Sequence, residues 1–191
     1  MRIIGGELKG RRVMPPTNLK ARPTTDMARE SLFNILNNKI DFEETSVLDM
    51  FGGTGCISFE FASRGCKRIT TIEIDNTNHQ FIQKAMKELK VDVVNLIKGD
   101  SFKFVESTGA KYDLVFADPP YNHPQLKDIP SIVFEKDILN DEGMLILEHP
   151  KEFKFDDNEY FLEHRKYGHV NFTFFKKKNK QVRSNESKDI S

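Results

Sequence analysis

The chain is poor in cysteine, in long apolar runs and in net charge. Only Cys56 and Cys66 occur among 191 residues, and their spacing fits neither a zinc site nor a redox motif. Two thiols build no disulfide framework, so the chain reads as a reduced, cytoplasmic protein. No apolar run approaches the roughly 18 residues that cross a bilayer. The opening Met1-Arg2-Ile3-Ile4-Gly5-Gly6 holds no signal-peptide core. There is no internal repeat and no long linker. No His/Cys/Asp cluster has ligand spacing, so no metal is expected. What remains is one domain of ordinary size, 38% hydrophobic and 30% charged, a composition that excludes a disordered chain.

The formal charge of zero is unevenly spread. Residues 1–29 carry a net +5, residues 176–191 a net +4, and the stretch between them −9. Two basic ends on an acidic body point to a polyanionic partner, with solvated tails as the plainer reading. The stretch Met14-Pro15-Pro16-Thr17 to Arg22-Pro23 sets residues 1–25 apart as a basic arm. From about Asn179 the chain is polar with no apolar face, which reads as a disordered tail over 179–191.

Between these ends, helical and strand patterns alternate. Asp26 to Asn38 reads as a helix with Met27, Leu32, Ile35 and Leu36 on one face and Phe33 beside them, capped by Thr25 or Asp26. Strands are expected at Ser46–Met50, Arg68–Ile74, Val93–Ile97, Tyr112–Ala117 and Met144–Glu148. Helices are expected at Cys56–Arg64, Asn76–Lys90, Ser101–Val105 and within Pro124–Leu139. Tyr160–Tyr167 and Val170–Phe175 flank Gly168-His169 and form an antiparallel hairpin. The alternation predicts an α/β fold with a mostly parallel sheet, one reversed strand and helices on both faces.

Asp49-Met50-Phe51-Gly52-Gly53-Thr54-Gly55 links a strand to a helix. Glycine allows close approach to a ligand, and the helix start offers free N–H groups. The spacing is not G-x-G-x-x-G. The acid ahead of the turn would repel a pyrophosphate but suits the cationic amino end of a zwitterion, which favours S-adenosylmethionine over NAD. Glu73 ends the second strand, where a carboxylate can accept from ribose hydroxyls. Asp75 is the weaker candidate for that role. Asp100 follows the third strand and can accept from an adenine amine. Cys56 sits at a helix start, where its thiol pKa could fall, although packing is the simpler role. His149 and His164 stand apart from these motifs and are not expected to be catalytic.

Asp118-Pro119-Pro120-Tyr121 closes the fourth strand. Two prolines stiffen the backbone and leave carbonyls that only accept. The Asp118 carboxylate and the Pro119 carbonyl can take both N–H bonds of an exocyclic base amine and orient its lone pair for in-line attack on a methyl group. Tyr121 offers a stacking face for a base flipped out of its helix.

Together these motifs resemble the class I S-adenosylmethionine-dependent methyltransferases, with the tetrad of their amino-methylating branch. The opening Met1 to Arg12, then Arg22-Pro23-Thr24-Thr25-Asp26 and Arg29-Glu30-Ser31-Leu32-Phe33-Asn34, closely resemble the bacterial 16S rRNA (guanine(966)-N(2))-methyltransferase family, from residue 1 to about 176. The resemblance implies a Rossmann-like sheet of seven strands, the final hairpin supplying the sixth and seventh. It implies a methyltransferase domain over 26–178, and N2-methylguanine in the rRNA of an assembling small subunit as product. Asp49, Phe51, Gly52, Gly53, Gly55, Glu73, Asp100 and Ser101 would hold S-adenosylmethionine, and Asp118 to Tyr121 the target amine. Arg11 and Arg12 would hold rRNA phosphates, with Arg22, Thr24 and Thr25 bordering the pocket. A monomer is expected. Three rivals stay open: a DNA adenine-N6 methyltransferase, an RNA-binding factor without turnover, and a methyltransferase acting on small molecules or protein.

Overall fold

A computed structural model describes residues 1–15 and 25–177. The expectations for Arg22, Thr24 and residues 179–191 fall outside the described residues. The elements are α1 (Asp26–Leu36), β1 (Ser46–Asp49), α2 (Cys56–Ser63), β2 (Arg68–Glu73), α3 (Asn76–Leu89), β3 (Val94–Lys98), α4 (Ser101–Ser107) and β4 (Tyr112–Ala117). A 3-10 turn at Leu126–Asp128 then leads into α5 (Ile129–Glu135), β5 (Leu139–His149), β6 (Phe161–Tyr167) and β7 (Val170–Lys176).

The seven strands form one sheet in the order β3-β2-β1-β4-β5-β7-β6. The first five run parallel and the hairpin adds β7 and β6 antiparallel. Strand residues alternate between faces, so Val47 and Leu48 enter different cores. Val47, Leu114, Phe116 and Ile146 pack with α1, α2 and α3. Leu48, Val115 and Leu147 pack with α4 and α5. Helices therefore cover both faces, as expected for a parallel sheet. No described helix is long and apolar enough to cross a membrane.

Two expectations are corrected. Met27 is 62% exposed rather than buried. The buried face of α1 is instead Ala28, Arg29, Leu32, Phe33 and Leu36. Thr25 Oγ1 caps the helix by accepting from Ala28 N at 3.2 Å, and at 3.6 residues per turn Met27 falls on the side opposite Leu36. The fifth strand starts at Leu139, not Met144. Leu139 pairs with Tyr112 and Met144 with Leu114, so the polar Asn140–Gly143 segment is an irregularity within the strand. The helix expected within 124–139 is present as α5, preceded by a 3-10 turn.

The described part of the N-terminal arm is built into the body. Ile3 and Val13 are buried in the core with α1 and α2, and Arg2 pairs with Arg12 as an antiparallel bridge. Ser63 at the end of α2 holds this loop. Its carbonyl accepts from Glu7 N at 2.7 Å, and its hydroxyl accepts from Leu8 N and donates to Gly5 O. Gly6 has φ +74° and passes so close that a Cβ would lie 1.8 Å from Ser63 O.

Beneath the loop, Glu60 is fully buried and Arg29 is 2% exposed. Glu60 Oε1 accepts from Ile4 N at 2.6 Å and lies 3.5 Å from Arg29 Nη1, while Oε2 meets Arg64 Nη1. Arg29 also meets Asp26 Oδ1 at 2.5 Å, but Glu60 is its fully buried partner, and breaking a buried ion pair by removing one member is costly. Glu60→Ala is expected to destabilise the protein by about 3–5 kcal/mol, read as a lowered midpoint in urea unfolding. An unchanged midpoint would contradict this role.

Candidate active site

The strand order reverses between β1 and β4, and in open α/β sheets ligands bind at that switch point, outside the carboxyl ends of the strands. A cavity of about 710 Å³ opens there, within the roughly 300–1,000 Å³ usual for small-molecule sites.

The glycine turn forms its floor. Gly52 N donates to Ile72 O at 2.8 Å, and a Cβ on Gly52 would lie 2.8 Å from Thr71 Cγ2. Phe51, Gly52 and Gly53 line the cavity. Gly55 caps α2 in the left-handed conformation and does not line it. Asp49 lies beneath the turn rather than in the cavity wall, 1% exposed. It accepts from Ser58 Oγ at 2.6 Å and from Phe51 N at 3.3 Å. Burial outweighs these bonds and pushes its carboxyl up to about 6.

Glu73 and Asp100 stand on the wall. Glu73 accepts from Gly53 N and Asp75 N, both at 2.6 Å, and from the Asn78 side chain. Burial still raises its pKa. Asp75 caps α3 through Thr77 N and Asn78 N. Asp100 caps α4, and both bonds, from Phe102 N and Lys103 N, reach the same oxygen, Oδ1. Ser101 Oγ donates to Met50 O, tying the start of α4 to the glycine turn. Phe102 stacks on His123 at 5.0 Å and 18°, with Phe51 edge-on to both, giving the cavity an aromatic side.

The Asp118–Tyr121 tetrad lines the same cavity. Asp118 is half-buried, Pro119 buried, Pro120 exposed and Tyr121 45% exposed. Tyr121 Oη donates to Glu148 Oε1 at 3.3 Å. Thr25 also borders the cavity. Arg11 and Arg12 do not. Arg11 donates to Glu88 O at 3.2 Å, and Arg12 borders a separate recess with Met1, Arg2, Asp26 and Arg29.

Sequence reasoning missed Asn78, Phe102, His123 and Glu148 at the cavity. Asn78 is 7% exposed, and its Oδ1 has no partner among the described residues. Glu148 could have been found, because it closes the strand expected at Met144–Glu148. The expectation of a lowered thiol pKa at Cys56 is overturned: burial pushes that thiol up to about 11. His149 is 2% exposed and bonded to Thr173 Oγ1 and Pro150 O within the hairpin, outside the cavity wall. Among the described residues, no group of three or more His, Cys, Asp or Glu could hold a metal.

The raised pKa of Asp49 sets a pH test. Between pH 3.8 and about 6 the folded chain keeps a proton that the unfolded chain releases. This contribution to stability is therefore lost as pH rises through that interval. Asp49→Asn is expected to remove that component, about 2–3 kcal/mol at roughly 1.4 kcal/mol per pH unit. Urea unfolding of both proteins between pH 4 and 8 checks it, and identical pH profiles would contradict it.

The family model described as Conserved hypothetical protein 95 matches residues 1–176. Ribosomal RNA small subunit methyltransferase D of Escherichia coli K12 is 32% identical over 148 residues, 78% of this chain and 74% of that protein. The solved structure of yhhF from Escherichia coli superposes with a TM-score of 0.79 at 29% identity, covering 92% of this chain and 96% of that one. Precorrin-6y C5,15-methyltransferase of Geobacter metallireducens shares the fold at 17% identity, with a TM-score of 0.66 over 86% of this chain and 94% of that one. The sheet is thus the class I methyltransferase sheet with its C-terminal hairpin. A match that begins at the first residue and takes in arm, glycine turn and hairpin makes this chain a member of the Conserved hypothetical protein 95 family, with the small-subunit rRNA methyltransferase D proteins among its relatives.

Proposed function

We propose that the protein methylates the exocyclic N2 of a guanine in the 16S rRNA of an assembling small subunit, with S-adenosylmethionine as donor. The family resemblance points to guanine 966. The observation that carries this reading is one cavity bordered by Glu73, Asp100 and the Asp118–Tyr121 tetrad. The relatives named as rRNA methyltransferases support the target class.

The donor set fits the cofactor. Glu73 is held in place by Gly53 N, Asp75 N and the Asn78 side chain, which leaves its carboxylate one lone pair for a ribose hydroxyl. Asp100 spends Oδ1 on its helix cap and presents Oδ2 to an adenine amine. Phe51 and Phe102 offer apolar faces to the adenine ring, and the buried Asn78 Oδ1 can accept from a ligand donor. The glycine turn, aimed by Asp49, accommodates the methionine part. When bound, S-adenosylmethionine supplies a methyl group activated by its sulfonium.

The chain's own work is placement. The Asp118 carboxylate and the Pro119 carbonyl accept the two amine N–H bonds and turn the nitrogen lone pair towards the methyl group. Asp118 also receives the proton that the nitrogen sheds as the new N–C bond forms. Tyr121 stacks on the target base. Burial of the pair in a shaped cavity makes these interactions stronger than in water. Arg11 and Arg12 would meet rRNA phosphates, which position without reading sequence. Arg22, Thr24 and Thr25 would border the target. The protein would act as a cytoplasmic monomer, with residues 26–178 as its methyltransferase domain.

The test is methyl transfer from labelled S-adenosylmethionine to undermodified small-subunit particles, naked 16S rRNA, DNA and total protein, with nucleoside mass spectrometry of the product. N2-methylguanosine in particle or rRNA is expected. Asp118→Ala is expected to lower kcat by about 10³-fold while cofactor affinity holds. N6-methyladenine in DNA, methylated protein, or no transfer to any substrate would overturn the reading.

A further inference from the structure

Glu148 is 4% exposed yet lines the cavity, and no step above employs it. It is the penultimate residue of β5. Ala117 and Leu147 are the last partners of the parallel β4–β5 ladder. Asp118, just past β4, and Glu148 each follow one of these paired residues, and both line the cavity. Tyr121 Oη donates to Glu148 Oε1 at 3.3 Å, tying this carboxylate to the residue that would stack on the target base.

Two adjacent carboxylates form an acceptor edge, and they repel each other unless hydrogen-bond donors lie between them. A base that complements them must present N–H donors on two neighbouring nitrogens. Guanine does so, because its N1–H stands next to its N2 amine. Adenine presents a bare lone pair at N1, which a carboxylate rejects. Building on the proposed N2 chemistry, we propose that Glu148 reads the target base by accepting its N1–H while Asp118 and the Pro119 carbonyl hold the N2 amine. The tetrad orients an amine; Glu148 decides that the amine belongs to guanine. Tyr121 fixes the reading carboxylate through its hydroxyl and the base plane through its ring.

The test uses 2-aminopurine, which keeps the N2 amine but carries a lone pair at N1. Small-subunit particles are reconstituted with ligated rRNA bearing guanine or 2-aminopurine at the mapped methylation position. The wild-type protein is expected to favour guanine by at least about 10²-fold in kcat/KM. Glu148→Gln turns one acceptor into an N–H donor that suits the N1 lone pair. It is expected to cut the preference by tenfold or more, through a loss on guanine and a gain on 2-aminopurine, with unchanged affinity for S-adenosylmethionine. A structural carboxylate would instead slow both substrates equally, and an unmoved ratio overturns the proposal. Should Glu148→Gln fail to bind the cofactor, Tyr121→Phe decides. It keeps the ring, releases Glu148, and is expected to lower the preference about threefold; no change overturns the proposal. If wild-type protein forms no N2-methylguanosine at all, the guanine-N2 reading falls and this proposal with it. If it does form and the ratios stay fixed, only the role of Glu148 is lost.

Discussion

The turn after β1 runs against the end of β2 with no space for a side chain at residue 52, where a Cβ would meet Thr71, Ile82 and Ile72 O. That close approach organises the carboxyl edge of the sheet. It lets Gly52 N reach Ile72 O and Gly53 N reach the Glu73 carboxylate, so turn and acid hold one another. It also roofs Asp49, whose carboxyl is buried at a cost in order to hold Phe51 N and Ser58 Oγ. A protein keeps so expensive a carboxylate where backbone direction matters more than stability. Ser101 extends the arrangement by tying α4 to Met50 O.

The parallel body was legible because strand ends and chemistry coincide there. Glu73, Asp100 and Asp118 each stand at or within two residues of a strand's carboxyl end, and each reaches the cavity. The β4 boundaries are those expected, because Tyr112–Ala117 is an apolar run bounded by Lys111 and the tetrad. Other features depended on contacts distant in sequence. Met27 is apolar, but at 3.6 residues per turn it lies opposite Leu36 and faces outward. The start of β5 was hidden because Asn140, Asp141, Glu142 and Gly143 read as a turn, while Tyr112 and Asn140's bond to Asp113 draw that stretch into the ladder. The Cys56 thiol followed burial rather than its helix start.

The N-terminal segment shows the same limit from another side. Its basic residues and prolines read as an arm, and its charge gave no hint that Ile3 and Val13 would enter the core. Only the docking partners explain this. Ser63 and Glu60 on α2 offer acceptors to the backbone of residues 4–8, and Arg29 brings α1 to the same carboxylate. Cys56, at the other end of α2, borders both the main cavity and the recess beside Arg2 and Arg12. The basic segment and the cavity thus share one rigid helix of eight residues.

The hairpin has a consequence for how the chain is made. Among the described residues β7 is the last strand in sequence, yet it lies inside the sheet, between β5 and β6. The outer strand, β6, carries Glu163, Arg165 and Lys166, charges that discourage pairing with a stranger. The stretch of β5 that β7 covers is mostly apolar: Met144, Leu145, Ile146 and Leu147 pair with β7 residues Lys176 to Thr173. Until residue 176 has been synthesised, a nascent chain displays an apolar, unpaired strand edge. The sheet therefore closes only once β7 is available, and any product truncated ahead of Val170 carries an adhesive flank instead of a completed fold.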